Sequence, residues 1–140
     1  FIFRIFADPV KVGTPLGDVL TPFYAIALCA LLGHIFPVWL KFKGGKGVAT
    51  YFGILLAISG WAFLLSAANW LLTFSIKKIS SLSSLVALGL APLWLWLFAT
   101  PTAAFFGILA TLLIVITHRE NIYRLIDGTE QPFQSKKDPE

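Results

Sequence analysis

Five apolar runs without Asp, Glu, Lys or Arg account for most of the chain: Thr21 to Phe36, Val48 to Ile58, Trp61 to Ile76, Leu82 to Phe98 and Thr102 to Thr117. Each is apolar all round rather than along one stripe, so a water-soluble helix bundle could not bury them. The 140 residues are 57% hydrophobic and 13% charged, with a mean hydropathy of +0.81, which places the chain in lipid. Crossing ~30 Å of hydrocarbon takes about 20 apolar residues, and these runs are shorter. They are expected to pack against neighbours or to draw their polar ends into the interface.

The fold class that follows is all-α, a polytopic integral membrane helix bundle forming a single transmembrane domain over residues 1–140. Phe1 to Ala7 reads as the tail of a further span, and Asp8 to Leu20, with Pro9, Gly13, Pro15 and Gly17, as a loop. The chain opens at Phe1 and contains no Met, so it is expected to be part of a longer protein. Pro22 suits a helix N-terminus and Pro37 marks that helix's exit. Ser59-Gly60 and Thr100-Pro101 are breaks, and the tail is expected to fray after Pro132. Cys29, alone in an apolar run, excludes an internal disulfide and reads as a small buried hydrophobe; no metal site is expected. The formal charge of +4 is spread over short loops, which argues against nucleic acid.

Between the first two complete runs lies GHIFPVWLKFKGGKGVAT, from Gly33 to Thr50, where lysines alternate with glycines before an apolar run resumes at Val48. Glycines let backbone N–H groups turn toward a ligand, and the positive end of a helix starting near Val48 favours an anion. Lys46, between Gly45 and Gly47, can meet a phosphate as a point charge. Lys41 and Lys43 serve equally as charges at a membrane edge, and the whole loop also fits a basic turn that only sets topology. Leu40 and Gly47 stand where a Walker A loop needs glycine and Ser or Thr, so nucleotide hydrolysis is not expected.

Counting Lys and Arg on alternate sides puts Lys41, Lys43, Lys46, Lys77, Lys78, Arg119, Arg124, Lys136 and Lys137 opposite Arg4 and Lys11. The glycine loop, the turn near Lys77 to Ser84 and the segment after His118 should therefore share the cytoplasmic face. Trp61, Trp70, Trp94 and Trp96 are divided between interfacial anchors and lipid-facing bulk. In the second segment, KKISSLSSLVALG, Ser81 and Ser84 share a helix face, one suited to cap the helix and the other to offer a ligand a hydroxyl. In the third, HRENIYRLIDGTE, His118, Asn121 and Arg124 recur every three residues and line one side if the helix continues. Gly128 reads as a helix stop, and Glu130 as a solvated charge or a lysine's partner.

Together these three blocks resemble the bacterial membrane acyl-phosphate:glycerol-3-phosphate acyltransferases, the PlsY family, from about Ala27 to Glu130. The resemblance implies seven spans in a complete protein, about five of them here plus the tail of another. It implies transfer of a fatty acyl group from acyl phosphate to the sn-1 hydroxyl of glycerol 3-phosphate, giving lysophosphatidic acid and phosphate, with no cofactor. The setting would be the bacterial inner membrane, with the active site at its cytoplasmic face and the enzyme a monomer. Lys46, Ser84, His118 and Asn121 would be catalytic; Gly44, Gly45, Lys46, Gly47, Ser81, Ser84 and Arg124 would bind substrate or phosphate. Gly33, His34 and Pro37 would be structural. The family's first motif, of the form SGNxGATN, has no counterpart in these residues, which implies an inactive piece unless other residues supply it; Lys78 stands in place of an arginine. A membrane carrier for a phosphorylated compound is the competing class, opposed by the absence of charge inside any run. The hydroxyl proton has two candidate acceptors, His118 and a substrate phosphate oxygen. With no acidic residue evident to orient His118, the phosphate is preferred, His118 then donating hydrogen bonds.

Overall fold

The computed structural model describes residues 22–133, all its regular structure being helical. The expected tail of a span at Phe1 to Ala7, the loop at Asp8 to Leu20 and the fraying end beyond Phe133 lie outside the described residues. Helix α1 is Pro22–Ile35, followed by a 3-10 turn at Val38–Leu40; α2 is Val48–Ile58, α3 Gly60–Lys77, α4 Ser80–Gly89, α5 Ala91–Phe98, α6 Pro101–Thr117 and α7 Arg119–Ile126.

Local chemistry sets these boundaries. Ser59 stops α2 in an extended conformation, and its Oγ accepts the Ala62 N–H to cap α3. Thr100 does the same for α6 through the Ala103 N–H, with Pro101 at the first position. Lys78 ends α3 in the left-handed region, at φ 56°. The run expected as one helix from Leu82 instead begins at Ser80 and changes over at Leu90, where Pro92 opens α5.

By length and composition, Pro22–Leu40 and Ser80–Phe98 can each cross a membrane; α6 and α7, bent by 66°, make a third span if taken together. With 11 residues α2 is about 17 Å long, too short to cross alone. Helix α6 forms the centre, burying Ala103, Ala104, Phe106, Gly107, Ala110 and Ile114. Small residues let the helices approach one another: Ala62, Ala87 and Ala91 are fully buried, and a Cβ on Gly107 of α6 would press on Leu95 Cδ1 at 2.8 Å. Tyr51, fully buried on α2, donates its hydroxyl to the Gly107 carbonyl at 3.0 Å, so α2 is tied to α6 by packing and by a hydrogen bond. Cys29, read as buried, is exposed on α1.

Candidate functional site

The start of α2, the start of α4 and the bend between α6 and α7 converge on one cavity of about 550 Å³. Lys46, Ser80, Ser81, Ser84, His118, Asn121 and Glu130 give it polar walls; Val48, Ala49, Phe52, Trp70 and Phe133 give it apolar ones. The three polar segments thus meet in space as their charge pattern suggests.

Lys46 reaches across 75 residues of sequence, its Nζ donating to Asn121 Oδ1 at 2.5 Å. The single Thr117 hydroxyl proton is shared between the Lys46 carbonyl at 3.0 Å and the Ile114 carbonyl at 2.8 Å. Asn121 Nδ2 donates in turn to Glu130 Oε1 at 2.6 Å, and this fixes the amide's orientation because ammonium only donates and carboxylate only accepts. Ser81 Oγ donates to the same Glu130 oxygen at 2.5 Å, and Arg124 Nε to Glu130 Oε2 at 2.5 Å. Burial alone would raise the Glu130 pKa, but hydrogen bonds from Ser81, Asn121 and Arg124, with the charge of Arg124, hold it at about 2. Glu130 is therefore neither a solvated charge nor a lysine's partner; its carboxylate gathers one side chain from α4 and two from α7.

This arrangement alters several expectations. Ser81 and the Arg124 Nε, assigned to phosphate, engage Glu130 instead. No serine caps α4, whose N-cap is Ile79; Ser83 and Ser84 bond back to the Ile79 and Ser80 carbonyls at 2.8 and 3.0 Å. The helix does not run straight through His118, and the bend there leaves His118 and Asn121 buried while Arg124 is exposed.

Gly44, Gly45 and Gly47 do not line the cavity, although Lys46 among them does. Gly45 gives its N–H to the His34 carbonyl at 3.1 Å. A Cβ on Gly44 would overlap the His34 and Ile35 carbonyl oxygens, and one on Gly45 would overlap His34 Nε2. Gly47, the N-cap of α2, has φ 81° and sits against Leu31 and Ile114. These glycines seat the loop against the end of α1, which leaves Lys46 aimed at Asn121. His34 and Pro37 lie beside Gly44, and His34 beside Gly45 as well; Gly33 has open space around it.

His118 is 2% exposed, and its Nδ1 lies 2.8 Å from the Ile114 carbonyl oxygen, an atom that only accepts. Nδ1 therefore holds a proton, and in the neutral ring Nε2 is an acceptor. Burial lowers its pKa below the usual histidine value, the Ile114 hydrogen bond and Glu130 partly opposing this and Lys46 adding to it. Donation from Nε2 would need the imidazolium that burial disfavours. His118 does donate a hydrogen bond, from Nδ1 to the Ile114 carbonyl, and the neutral ring keeps its lone pair on Nε2.

Trp70 is a cavity residue that sequence reasoning left among tryptophans read as interfacial anchors or lipid-facing bulk. Trp61 and Trp96 are 65% and 61% exposed, as an anchor or lipid-facing side chain would be, but Trp70 is half-buried and donates to Ser84. A helical register against Ser84 could not be inferred before the α3–α4 turn was known.

The glycerol-3-phosphate acyltransferase family model matches residues 2–128. The glycerol-3-phosphate acyltransferase of Rhodopseudomonas palustris (strain BisB5) is 51% identical over 111 residues, covering 79% of this chain and 57% of that protein. That of Pelagibacter ubique (strain HTCC1062) is 51% identical over 107 residues, 76% of this chain and 56% of the relative. Crystal structures of PlsY, an integral membrane glycerol 3-phosphate acyltransferase, in glycerol 3-phosphate and lysophosphatidic acid forms, match with TM-score 0.73 and 42% identity, covering 76% of this chain and 54% and 55% of theirs. The chain spans about half the length of the curated relatives it matches. It is an all-helical membrane protein and belongs to the glycerol-3-phosphate acyltransferase family.

Proposed function

We propose that the protein moves a fatty acyl group from acyl phosphate to the sn-1 hydroxyl of glycerol 3-phosphate, releasing lysophosphatidic acid and inorganic phosphate. The observation that supports this most is the two-sided cavity: a lysine, an amide and an imidazole face apolar walls from α2, α3 and the tail. An acyl phosphate has the same two-sided chemistry. The named functions of the relatives and of PlsY point the same way, and no observation favours a carrier.

The reaction is a displacement at an activated carbonyl. The glycerol oxygen bonds to the acyl carbon, the bond from that carbon to the phosphate oxygen breaks, and phosphate leaves with the electron pair. Lys46 has two ammonium hydrogens beyond the one held by Asn121, and these stabilise phosphate oxygens as charge develops. The His118 lone pair at Nε2 takes the hydroxyl proton, a role supported by its engaged Nδ1 and lowered pKa. Asn121 holds Lys46 in place. The enzyme works as a monomer in the bacterial inner membrane with this cavity at the cytoplasmic face, a placement supported by the Lys and Arg asymmetry.

Phosphate release from palmitoyl phosphate by full-length protein, with and without glycerol 3-phosphate, tests the reading. Release that depends on glycerol 3-phosphate, with lysophosphatidic acid as product, is expected. Release independent of it, or flux of glycerol 3-phosphate into vesicles without acyl transfer, would overturn the assignment.

A further inference from the structure

The Ser84 hydroxyl sits in a hydrogen-bond arrangement whose polarity has a single solution. Its Oγ lies 3.0 Å from the Ser80 carbonyl oxygen, which only accepts, so the serine proton is directed there. Trp70 Nε1 lies 3.1 Å from the same Oγ, and an indole N–H only donates, so it takes up one serine lone pair. A hydroxyl has one proton and two lone pairs. What Ser84, a buried residue on the cavity wall, has left is a single acceptor position.

The indole is itself held in place. It stacks on Phe74 with centroids 4.9 Å apart and planes 13° from parallel, and Phe74 meets Phe133 edge-on at 5.9 Å. Phe133 is fixed through its N–H, which donates to the Lys78 carbonyl at 2.6 Å. Rotating Trp70 away from Ser84 would break this stack, so the polarity of Ser84 is built into the packing of α3, α4 and the tail.

An acceptor in that position repels phosphate oxygens, which carry lone pairs of their own, and welcomes a hydroxyl that keeps its proton. The attacking hydroxyl must surrender its proton to a base, and Ser84, neutral with its own proton engaged, is not one. We infer that the Trp70–Ser84 pair reads the glycerol hydroxyl that does not react, with Trp70 as the positioning residue and Ser84 as the contact. This deepens the acyltransferase reading of the same cavity and rests on it. The pair sets specificity for the acceptor alcohol rather than binding phosphate, a role different from the one given to Ser84 on resemblance.

The test compares KM values for glycerol 3-phosphate and for 3-hydroxypropyl phosphate, which keeps the phosphate and the reacting hydroxyl but lacks the other, in full-length protein with palmitoyl phosphate saturating. Trp70→Phe keeps a ring on Phe74 and removes the N–H; Ser84→Ala removes the acceptor. One hydrogen bond to a substrate hydroxyl corresponds to about a tenfold change in affinity. Ser84→Ala is expected to raise KM for glycerol 3-phosphate about tenfold and Trp70→Phe several-fold, with little change in kcat. KM for the deoxy acceptor should move less than about twofold. In the Ser84→Ala background Trp70→Phe should add nothing, because it acts through Ser84.

Equal losses on both acceptors, or additive effects in the double variant, would overturn the inference while leaving the enzyme assignment intact. If wild-type protein showed no turnover dependent on glycerol 3-phosphate, the functional reading would fall first and this one with it. Should Trp70→Phe fail to fold, Ser84→Ala alone decides through the ratio of the two KM values.

Discussion

Lys46 and Asn121, 75 residues apart, are joined by a 2.5 Å hydrogen bond from ammonium to amide oxygen, and the same amide passes its N–H to Glu130 at 2.6 Å. One side chain thus links the glycine loop to the segment around Glu130. Asn121→Asp should be worse than Asn121→Ala for stability: the aspartate still accepts from Lys46 but sets a second carboxylate against Glu130. Thermal unfolding in detergent should rank them wild type, Ala, Asp in falling order, and a more stable Asp variant would remove Asn121 as the bridge.

Lys46→Ala is expected to lower kcat/KM by about 100-fold or more, as for loss of one donor that stabilises developing charge. Because Gly45 and Gly47 hold the loop without the lysine side chain, folding should be retained. Near-normal turnover would remove Lys46 from the phosphate's neighbourhood.

With a lowered pKa, His118 is neutral at neutral pH and gains its proton only below the ordinary value of about 6.5. Activity that needs the Nε2 lone pair is therefore complete above that range and lost as pH falls through the folded pKa. The expected profile of kcat/KM has an acid limb below pH 6.5. His118→Asn should cost about 10²-fold to 10⁴-fold and remove that limb; an unchanged limb with most activity retained would return the base to the substrate phosphate.

The Glu130 pKa of about 2 lies below the ordinary carboxylate value, so its ion is favoured by folding. The stability it contributes is present above about pH 4.5 and lost as pH falls toward 2. Glu130→Ala leaves the buried Ser81 and Asn121 donors without a partner, a cost of about 1–3 kcal/mol for each group left unpaired. A drop in Tm with looser binding of the 129–133 segment, read by proteolysis, is the expected result. Equal stability at pH 7 would show that the carboxylate holds nothing.

Gly44 and Gly45 separate by what each would strike. A Cβ at Gly44 meets backbone carbonyls that cannot move, whereas one at Gly45 meets the ring of exposed His34. Gly44→Ala should therefore destabilise more, by about 1–3 kcal/mol. Adding His34→Ala should rescue Gly45→Ala and leave Gly44→Ala unrescued. Denaturation of the four variants measures this.

The helical membrane class and most helix ends were legible in the residues, because apolar runs, Pro, Ser, Thr and Gly act through local chemistry within a few positions. Charge on alternate loops also grouped the three segments that meet in space, and Lys46, Ser84, His118 and Asn121 do share a cavity. What each of those groups does with its hydrogens was not legible. Ser81 and Arg124 look like phosphate donors until Glu130, 49 and 6 residues away, accepts their hydrogen bonds. His118 looks able to donate to a substrate until its Nδ1 is seen bonded to the Ile114 carbonyl, in a ring that packing has buried. Trp70 looks like an interfacial anchor or lipid-facing bulk until the α3–α4 turn sets it on Ser84. Local propensity and hydropathy depend on a residue and its chain neighbours, and so they are written along the sequence. The direction of a hydrogen bond depends on which partner distant packing delivers, and only the tertiary structure decides that.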